Sequence, residues 1–357
     1  MKKIIVYIGS MQRGGAQRVV ANLVNYLTNK NYNVILLNDK TADTNKEYQI
    51  SNNIIRLYLN INANNNILKN INQIRLIRKI IKDEKPDCIL SFTGSPNIRM
   101  VIATIGIRTK KIISVRNDPK IEYGKGIKKL LAKMLLNTAD GCVFQTEEAK
   151  KYFRKKLQNK SKIIYNPVDP IFYNTKKSEN CNDIITIGRL ELQKNHKLLI
   201  DAYIQSLNNI SNEKLIIYGD GSQRETLQKY IDSKKMGAKI IMPGTVNDVQ
   251  RVLAKAKLFI LTSEYEGMPN AMMEAMAVGV PIIATDCPCG GPKELIRNKD
   301  QGVLVECNKI DELSKAIIKT VNDKKLLEKM SVNAKKRALE FKSEIILKEW
   351  EKYINSI

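Results

Sequence analysis

The sequence predicts an α/β protein of two units, each a doubly wound parallel sheet with helices on both faces, the Rossmann-like plan. Three observations carry this. Short continuous apolar runs alternate with helical-period stretches from one end to the other. Runs of that kind mark strands buried on both faces, and their alternation with helices marks parallel β-α-β units. The chain has 357 residues, more than one hydrophobic core usually organises. The pattern breaks once, at Asn166-Pro167-Val168-Asp169-Pro170 and the polar stretch through Asn182, where paired prolines stop a helix and stiffen the chain.

In the first half, strands are expected at 3–8, 34–37, 54–59, 88–92, 111–115 and 141–144, with helices at 16–28 and 67–82. The second half repeats the plan with strands at 183–187, 214–218, 239–242, 258–262, 281–284 and 302–305. A last helix over 343–357 carries Ile345, Ile346, Leu347, Trp350 and Tyr353. The expected domains are 1–167, 168–340 and a terminal helical segment, 341–357. In such sheets ligands sit outside the carboxyl ends of the strands.

The opening Met-Lys-Lys-Ile-Ile-Val-Tyr-Ile has the look of a signal peptide. Its apolar run stops at Ile8 and enters a Gly-rich turn, so it reads as a first strand. No stretch approaches the ~18–20 apolar residues of a membrane span. Six cysteines (Cys88, Cys142, Cys181, Cys287, Cys289, Cys307) form no small disulfide framework, and a reduced, cytoplasmic setting is expected. Cys287-Pro288-Cys289 could suggest zinc, which needs about four ligands. With one His in the chain, thiols outside any metal site are expected.

The net charge is +24, and it is uneven: residues 1–166 hold 31 Lys/Arg and 11 Asp/Glu, the remainder 29 and 25. This points the first half at something anionic: nucleic acid, acidic lipid headgroups or a phosphorylated acceptor. Aromatic residues are only 6%, the basic residues are dispersed and no nucleic-acid motif appears, so nucleic acid is not an expected partner. An AT-biased coding sequence would also enrich Lys, Asn and Ile. Within 125–137, Ile127, Leu130, Leu131, Met134 and Leu135 share a helical face, with lysines largely on the other. A second cluster follows at Lys150, Lys151, Arg154, Lys155 and Lys156. The apolar face either packs on its own domain or meets an anionic membrane. In a mixed arrangement Leu131 and Leu135 enter the core while the lysines meet headgroups.

Three constellations carry chemistry. Gly14-Gly15 lies on the turn from the first strand into the first helix, where backbone N–H groups and the helix dipole favour a phosphate; glycine pairs in turns also serve geometry alone. Gly188-Arg189-Leu190, with Lys194 following, closes the first strand of the second half. Two cations there suit a diphosphate, or form a solvated basic loop. Residues 264–277 follow the strand at 258–262: Gly267 and Pro269 shape a tight loop, and a helix starts near Asn270. Glu266 precedes that helix and Glu274 lies about a turn inside it, so the two can grip separate hydroxyl-bearing groups of one ligand. The neighbouring methionines read as core. Gly219-Asp220-Gly221 also follows a strand, but the third glycine of a dinucleotide fingerprint would fall at Arg224.

Glu266 and Glu274 with seven residues between, Gly188-Arg189-Leu190 with Lys194, Gly14-Gly15 and the linker Asn166-Pro167-Val168-Asp169 resemble glycosyltransferase family 4, of GT-B fold. The resemblance spans essentially the whole chain, in the family's order. It implies a first domain for the acceptor, a second for a nucleotide sugar, and a cleft between them. Arg189 and Lys194, in the loop opened by Gly188, would hold the diphosphate, with Gly15 of the Gly14-Gly15 pair closing from the opposite domain. Glu274 would bind ribose hydroxyls; Glu266 and the backbone of Met268, Pro269 and Asn270 would bind the donor sugar. Pro243-Gly244-Thr245 resembles the base-binding segment, and the last helix resembles one that crosses back onto the first domain. Many members carry a first-domain His near the reacting sugar. Here the matching stretch is Ser114-Val115-Arg116-Asn117-Asp118-Pro119, resembling a branch found in surface-polysaccharide assembly, and Arg116 and Asn117 are the candidates to replace it. The one His, His196, is expected in a loop near a phosphate.

The resemblance implies retaining transfer of a hexose or N-acetylhexosamine, UDP-linked, to a glycan acceptor carried on polyprenyl diphosphate, peripherally at the inner face of the cytoplasmic membrane. It implies no essential metal and no cofactor beyond the nucleotide-sugar co-substrate. The rivals are another GT-B sugar-nucleotide enzyme, such as a 2-epimerase, and a non-catalytic basic binding protein.

Overall fold

In a computed structural model, residues 2–12, 14–41, 47–178 and 181–357 are described. The chain divides into two compact units, Met1–Pro167 with Ser343–Ile357, and Val168–Lys342. Each is built on a wholly parallel sheet.

Among its described residues the first unit has seven strands: β1 (Lys3–Tyr7), β2 (Asn33–Asn38), β3 (Ile55–Tyr58), β4 (Cys88–Phe92), β5 (Lys110–Ser114), β6 (Gly141–Phe144) and β7 (Ser161–Ile163). They lie in the order β3-β2-β1-β4-β5-β6-β7. The central β4 is buried along its whole length, which is why its sequence runs apolar without alternation. The edge strand β7 is half-buried and three residues long, too short to leave an apolar run, and the sequence did not reveal it. The helices are α1 (Gly15–Asn29), α2 (Asn66–Glu84), α3 (Gly94–Ala103), α4 (Pro119–Glu122), α5 (Gly126–Leu136), α6 (Glu147–Lys151) and α7 (Lys155–Gln158). On α1 the inward stripe is Val19, Val20, Leu23, Val24 and Leu27, the 3.6-residue period of an amphipathic helix. At α4, Asp118 caps the N-terminus by accepting from Lys120 N (2.8 Å), with Pro119 in the first turn, where a missing N–H costs nothing.

Helix α5 corrects one expectation. Leu131 does not enter the core: it is 59% exposed, alongside Ile127 (77%), Leu130 (51%) and Met134 (50%). The buried stripe is Ala132 and Leu136, an i,i+4 pair pointing away from Ile127, Leu130 and Met134. The larger apolar face is uncovered within its unit.

Among its described residues the second unit has six strands: β8 (Asp183–Ile187), β9 (Leu215–Tyr218), β10 (Ile240–Gly244), β11 (Ala256–Leu261), β12 (Ile282–Thr285) and β13 (Val303–Val305). Their order is β10-β9-β8-β11-β12-β13. Its helices are α8 (Pro170–Asn174), α9 (His196–Ser206), α10 (Arg224–Ser233), α11 (Val249–Ala254), α12 (Asn270–Val278), α13 (Gly291–Leu295), α14 (Ile310–Asn322) and α15 (Lys324–Ala338). In each sheet the strand order reverses beside the first strand, between β1 and β4 and between β8 and β11. A crevice opens at such a switch point, outside the carboxyl ends of the strands.

Helix α16 (Ser343–Ser356) belongs to the first unit. Its Trp350 is fully buried in the core around β1 and β4, with its ring 5.6 Å from that of Phe92. The Tyr353 hydroxyl accepts from Cys142 N (2.8 Å) and donates to Lys160 O. Gly141 makes room for it: a Cβ there would stand 2.7 Å from the Tyr353 oxygen. Among the described residues no helix is long and apolar enough to cross a membrane.

Candidate active site

At the β8/β11 switch point, loops from four strands are drawn together by backbone hydrogen bonds. Gly188, leaving β8, donates to Tyr218 O (3.0 Å), Leu190 N donates to Asp220 O (2.9 Å), and Gln223 N donates to Leu190 O (2.8 Å). Gly219 and Gly221 have φ of +139° and +157°, and a side chain on either would strike the backbone of Gly188 or Leu190. This is what Gly219-Asp220-Gly221 is for: its glycines let the β9 loop lie against Gly188-Arg189-Leu190. Gly219 N in turn donates to Gly244 O (2.8 Å), which ties in the loop expected to face a base.

The chain then makes a 3-10 turn, Leu192–Lys194, and Asn195 caps α9 by accepting from Leu198 N (3.3 Å). Here the sequence reading of His196 is corrected. It is the first residue of α9, not a loop residue, and it is buried. Burial pushes its imidazole down to about 4, with Nε2 3.3 Å from Arg189 O.

Lys194 folds back over Gly188, where a Cβ would stand 3.5 Å from Lys194 Cε, and its Nζ pairs with Glu266 Oε1. Ser263 Oγ donates to the same carboxylate oxygen (2.7 Å). Three more bonds join the two loops: Glu264 N to Gln193 O (2.8 Å), Gln193 Nε2 to Tyr265 O (2.8 Å), and Thr262 Oγ1 to Lys194 O (3.0 Å). Behind them, Glu266 N donates to Pro288 O (3.3 Å), and a side chain on Gly291 would strike Gly267 O. The 287–291 loop therefore buttresses Glu266, a role not assigned from sequence; the adjacent Gly290-Gly291 was its only signal.

Beyond Glu266, Met268 is buried and Pro269 leads into α12, whose first residue is Asn270. Met272, Met273 and Met276 are fully buried core, and Glu274 is buried among them. The structure thus brings Gly188, Lys194, Glu266 and, through Gly219, Gly244 into one cluster. Arg189 stands exposed on the same loop, while Met268, Pro269, Asn270 and Glu274 continue from Glu266.

The other candidates lie in the first unit. Gly14 caps α1 with fully extended backbone (φ −174°) and accepts from Arg18 N (3.0 Å), and Gly15 begins the helix. Arg116 is buried, donates to Asn166 Oδ1 and Ser114 Oγ, and is pushed down to about 9 by burial. Asn117 is half-buried beside it. Glu122, accepting from Gly94 N (2.7 Å), is pushed up to about 7 by burial.

Comparison with known proteins accounts for this plan. Residues 13–172 match the family described as Glycosyltransferase Family 4, and residues 169–337 match Glycosyl transferases group 1. The chain is 27% identical over 365 residues, covering 100% of it and 99% of the relative, to a GalNAc-alpha-(1->4)-GalNAc-alpha-(1->3)-diNAcBac-PP-undecaprenol alpha-1,4-N-acetyl-D-galactosaminyltransferase of Campylobacter jejuni. It is 28% identical, over 99% of the chain and 100% of the relative, to that organism's N-acetylgalactosamine-N,N'-diacetylbacillosaminyl-diphospho-undecaprenol 4-alpha-N-acetylgalactosaminyltransferase. The fold matches that of Anabaena Alr3699/HepE, solved in complex with UDP and glucose, with a TM-score of 0.84, 18% identity and 100% of both chains covered. The two family matches meet at the break between the units, and the chain belongs to glycosyltransferase family 4 and has its GT-B fold.

Proposed function

We propose that this glycosyltransferase moves a hexose or N-acetylhexosamine from a UDP-sugar to a saccharide carried on polyprenyl diphosphate, with retention of configuration and without an essential metal. The observation that carries the reading is the Lys194–Glu266 pair at the β8/β11 switch point: a cation for a diphosphate and a carboxylate for a sugar hydroxyl, in contact and braced by backbone. A diphosphate offers Lys194 a second anion, which releases Glu266 to accept from a sugar hydroxyl. Arg189, exposed on the same loop, adds a fork of donors for phosphate oxygens. As the C1–O bond to the diphosphate breaks, negative charge gathers on the leaving oxygen, and preorganised cations stabilise it. The acceptor oxygen bonds to C1 on the face being vacated, and its proton passes to a phosphate oxygen. Glu274 would hold ribose hydroxyls, and the first unit would take the acceptor.

Diphospho-undecaprenol and α-linkages in the relatives' names support a lipid-linked acceptor and retention. A peripheral site at the inner face of the cytoplasmic membrane is supported by α5. Its uncovered apolar face is flanked by Lys129 and Lys133, whose ammonium groups lie 5.3 and 3.9 Å from the centre of the Tyr152 ring. Burial, Lys129 and Arg154 together push Lys133 down from its usual range. Arg154 of the second basic cluster therefore stands near Lys133 of the first, and each cation near anionic lipid contributes about 1 kcal/mol.

The deciding experiment is nucleoside diphosphate release from a panel of sugar nucleotides, with and without polyprenyl-diphosphate-linked saccharides. One donor should be consumed faster with acceptor present, yielding a longer saccharide. An epimerised free sugar with no acceptor requirement would make the protein a 2-epimerase, and no consumption of any donor would sink the reading.

A further inference from the structure

The β1/β4 switch point holds a cavity of about 350 Å³, within the span of small-molecule sites, roughly 300–1,000 Å³. Gly9 and Ser10 after β1, Asp39 after β2, Gln73 of α2, and Thr93 and Arg99 at α3 form much of its lining. Every one of these residues belongs to the first unit.

Asp39 is held from both sides. Tyr7 Oη donates to its Oδ1 (2.7 Å) and Arg99 Nη2 donates to its Oδ2 (2.7 Å). Arg99 also donates to Gln73 Oε1. The Asp39 side chain nevertheless keeps 19% of its surface, so a carboxylate of fixed orientation faces the cavity with lone pairs to spare. The network beneath is incomplete: Arg99 Nε and Gln73 Nε2 are buried and have no partner among the described residues. A buried donor left unsatisfied costs about 1–3 kcal/mol, and folded proteins keep few. The strain continues at Thr93, whose φ of +72° with ψ of 164° falls in a region almost reserved for glycine, at a cost of order 1–3 kcal/mol.

We infer that this cavity takes the terminal pyranose of the acceptor, with Asp39 accepting from a ring hydroxyl and so setting specificity. The inference rests on the glycosyltransferase reading and names the acceptor group that its first unit would receive. A polyol answers both kinds of group on the wall: the Arg99 guanidinium is already paired with Asp39, whose accessible carboxylate takes a hydroxyl donor, and Lys69 on the same lining offers a donor to a ring oxygen. A sugar hydroxyl both donates and accepts, so one ring can serve Asp39 and Lys69 together.

The test is titration of the full chain with the methyl α-glycosides of glucose, galactose, N-acetylglucosamine and N-acetylgalactosamine, followed by saturation-transfer NMR. At least one should bind, and Asp39→Asn and Gln73→Ala should weaken it at least ten-fold while calorimetry shows the affinity for UDP unchanged. Ser95→Trp, at an exposed position on the cavity wall, should block the glycoside without touching the buried network, which separates occlusion from misfolding. Binding by no glycoside, or equal binding by wild type and all three variants, overturns the inference, as does competition by inorganic phosphate alone. Glycoside binding in a protein that consumes no sugar nucleotide would instead overturn the functional reading and leave the cavity standing.

Discussion

The two switch points share a topology and differ in what holds them. At β8/β11 the polar groups are carried by backbone: Gly219, Gly221 and Gly291 let neighbouring loops touch, and main-chain bonds fix where Lys194 and Glu266 stand. At β1/β4 the work falls to side chains from separate elements, Tyr7, Asp39, Gln73 and Arg99. A loop lattice of glycines has little freedom to change, and suits a ligand whose diphosphate and ribose are constant. A wall of side chains can be altered one residue at a time, and suits a ligand that varies between enzymes.

On that contrast, the largest losses belong to the second unit. Lys194→Ala or Arg189→Ala should lower turnover by roughly 10²–10³-fold, as removal of one electrostatic donor does, and activity should survive EDTA. Strict dependence on Mg²⁺ or Mn²⁺ would mean that the diphosphate is neutralised by another route. Next in size, Glu274→Ala should weaken UDP binding by roughly ten-fold or more, the worth of a charged hydrogen bond. Glu266→Ala should slow transfer while leaving UDP affinity nearly intact. Calorimetry on folded variants reads both, and unchanged turnover in the two would remove the glutamates from the site.

The units should also answer to pH with opposite signs. His196 is depressed to about 4, so its contribution is present above the unfolded value near 6.5 and is lost as pH falls through about 4, amounting to about 3 kcal/mol. Glu122 is raised to about 7, so its contribution is present below its ordinary range and is lost as pH rises through about 7. Hydrogen exchange from pH 4 to 8 should show the second unit loosening at the acid end and the first at the neutral end. His196→Gln and Glu122→Gln should each flatten one slope; slopes that persist would assign them to other groups.

The smallest effect concerns α5. Sedimentation with anionic but not zwitterionic vesicles should be reversed by salt and weakened by Lys129→Glu with Lys133→Glu, leaving UDP binding unchanged. Indifference to anionic vesicles at low salt would return the exposed face of α5 to a soluble-acceptor reading.

Legibility in the sequence follows the same division. Strands buried on both faces announce themselves, and so do glycines, prolines and charges that act within a few residues of one another. The break at 166–170, the loop after β8 and the turn into α12 were all readable on those grounds. Asp39, Gln73 and Arg99 come from three distant stretches, each unremarkable locally, and only the sheet order brings them together. The partnership of Lys194 with Glu266 was hidden for the same reason, although each was singled out. Leu131 was misread because periodicity shows that a face exists, not which neighbour covers it, and His196 because the Asn195 cap that starts α9 one residue earlier was not recognised.

The position of Trp350 bears on how the protein is made. Its indole fills the core of the first unit against Phe92, yet it lies after the whole second unit in the chain. At about 5–20 residues per second, the ribosome spends roughly nine to thirty-five seconds on the intervening stretch. Throughout that interval the first sheet has an open apolar seat beside β4, and its folding is finished only after its neighbour has been synthesised. A nascent chain is thus most vulnerable to aggregation in its oldest part, and a chaperone that shields that seat would act while the enzyme's second half is still being made.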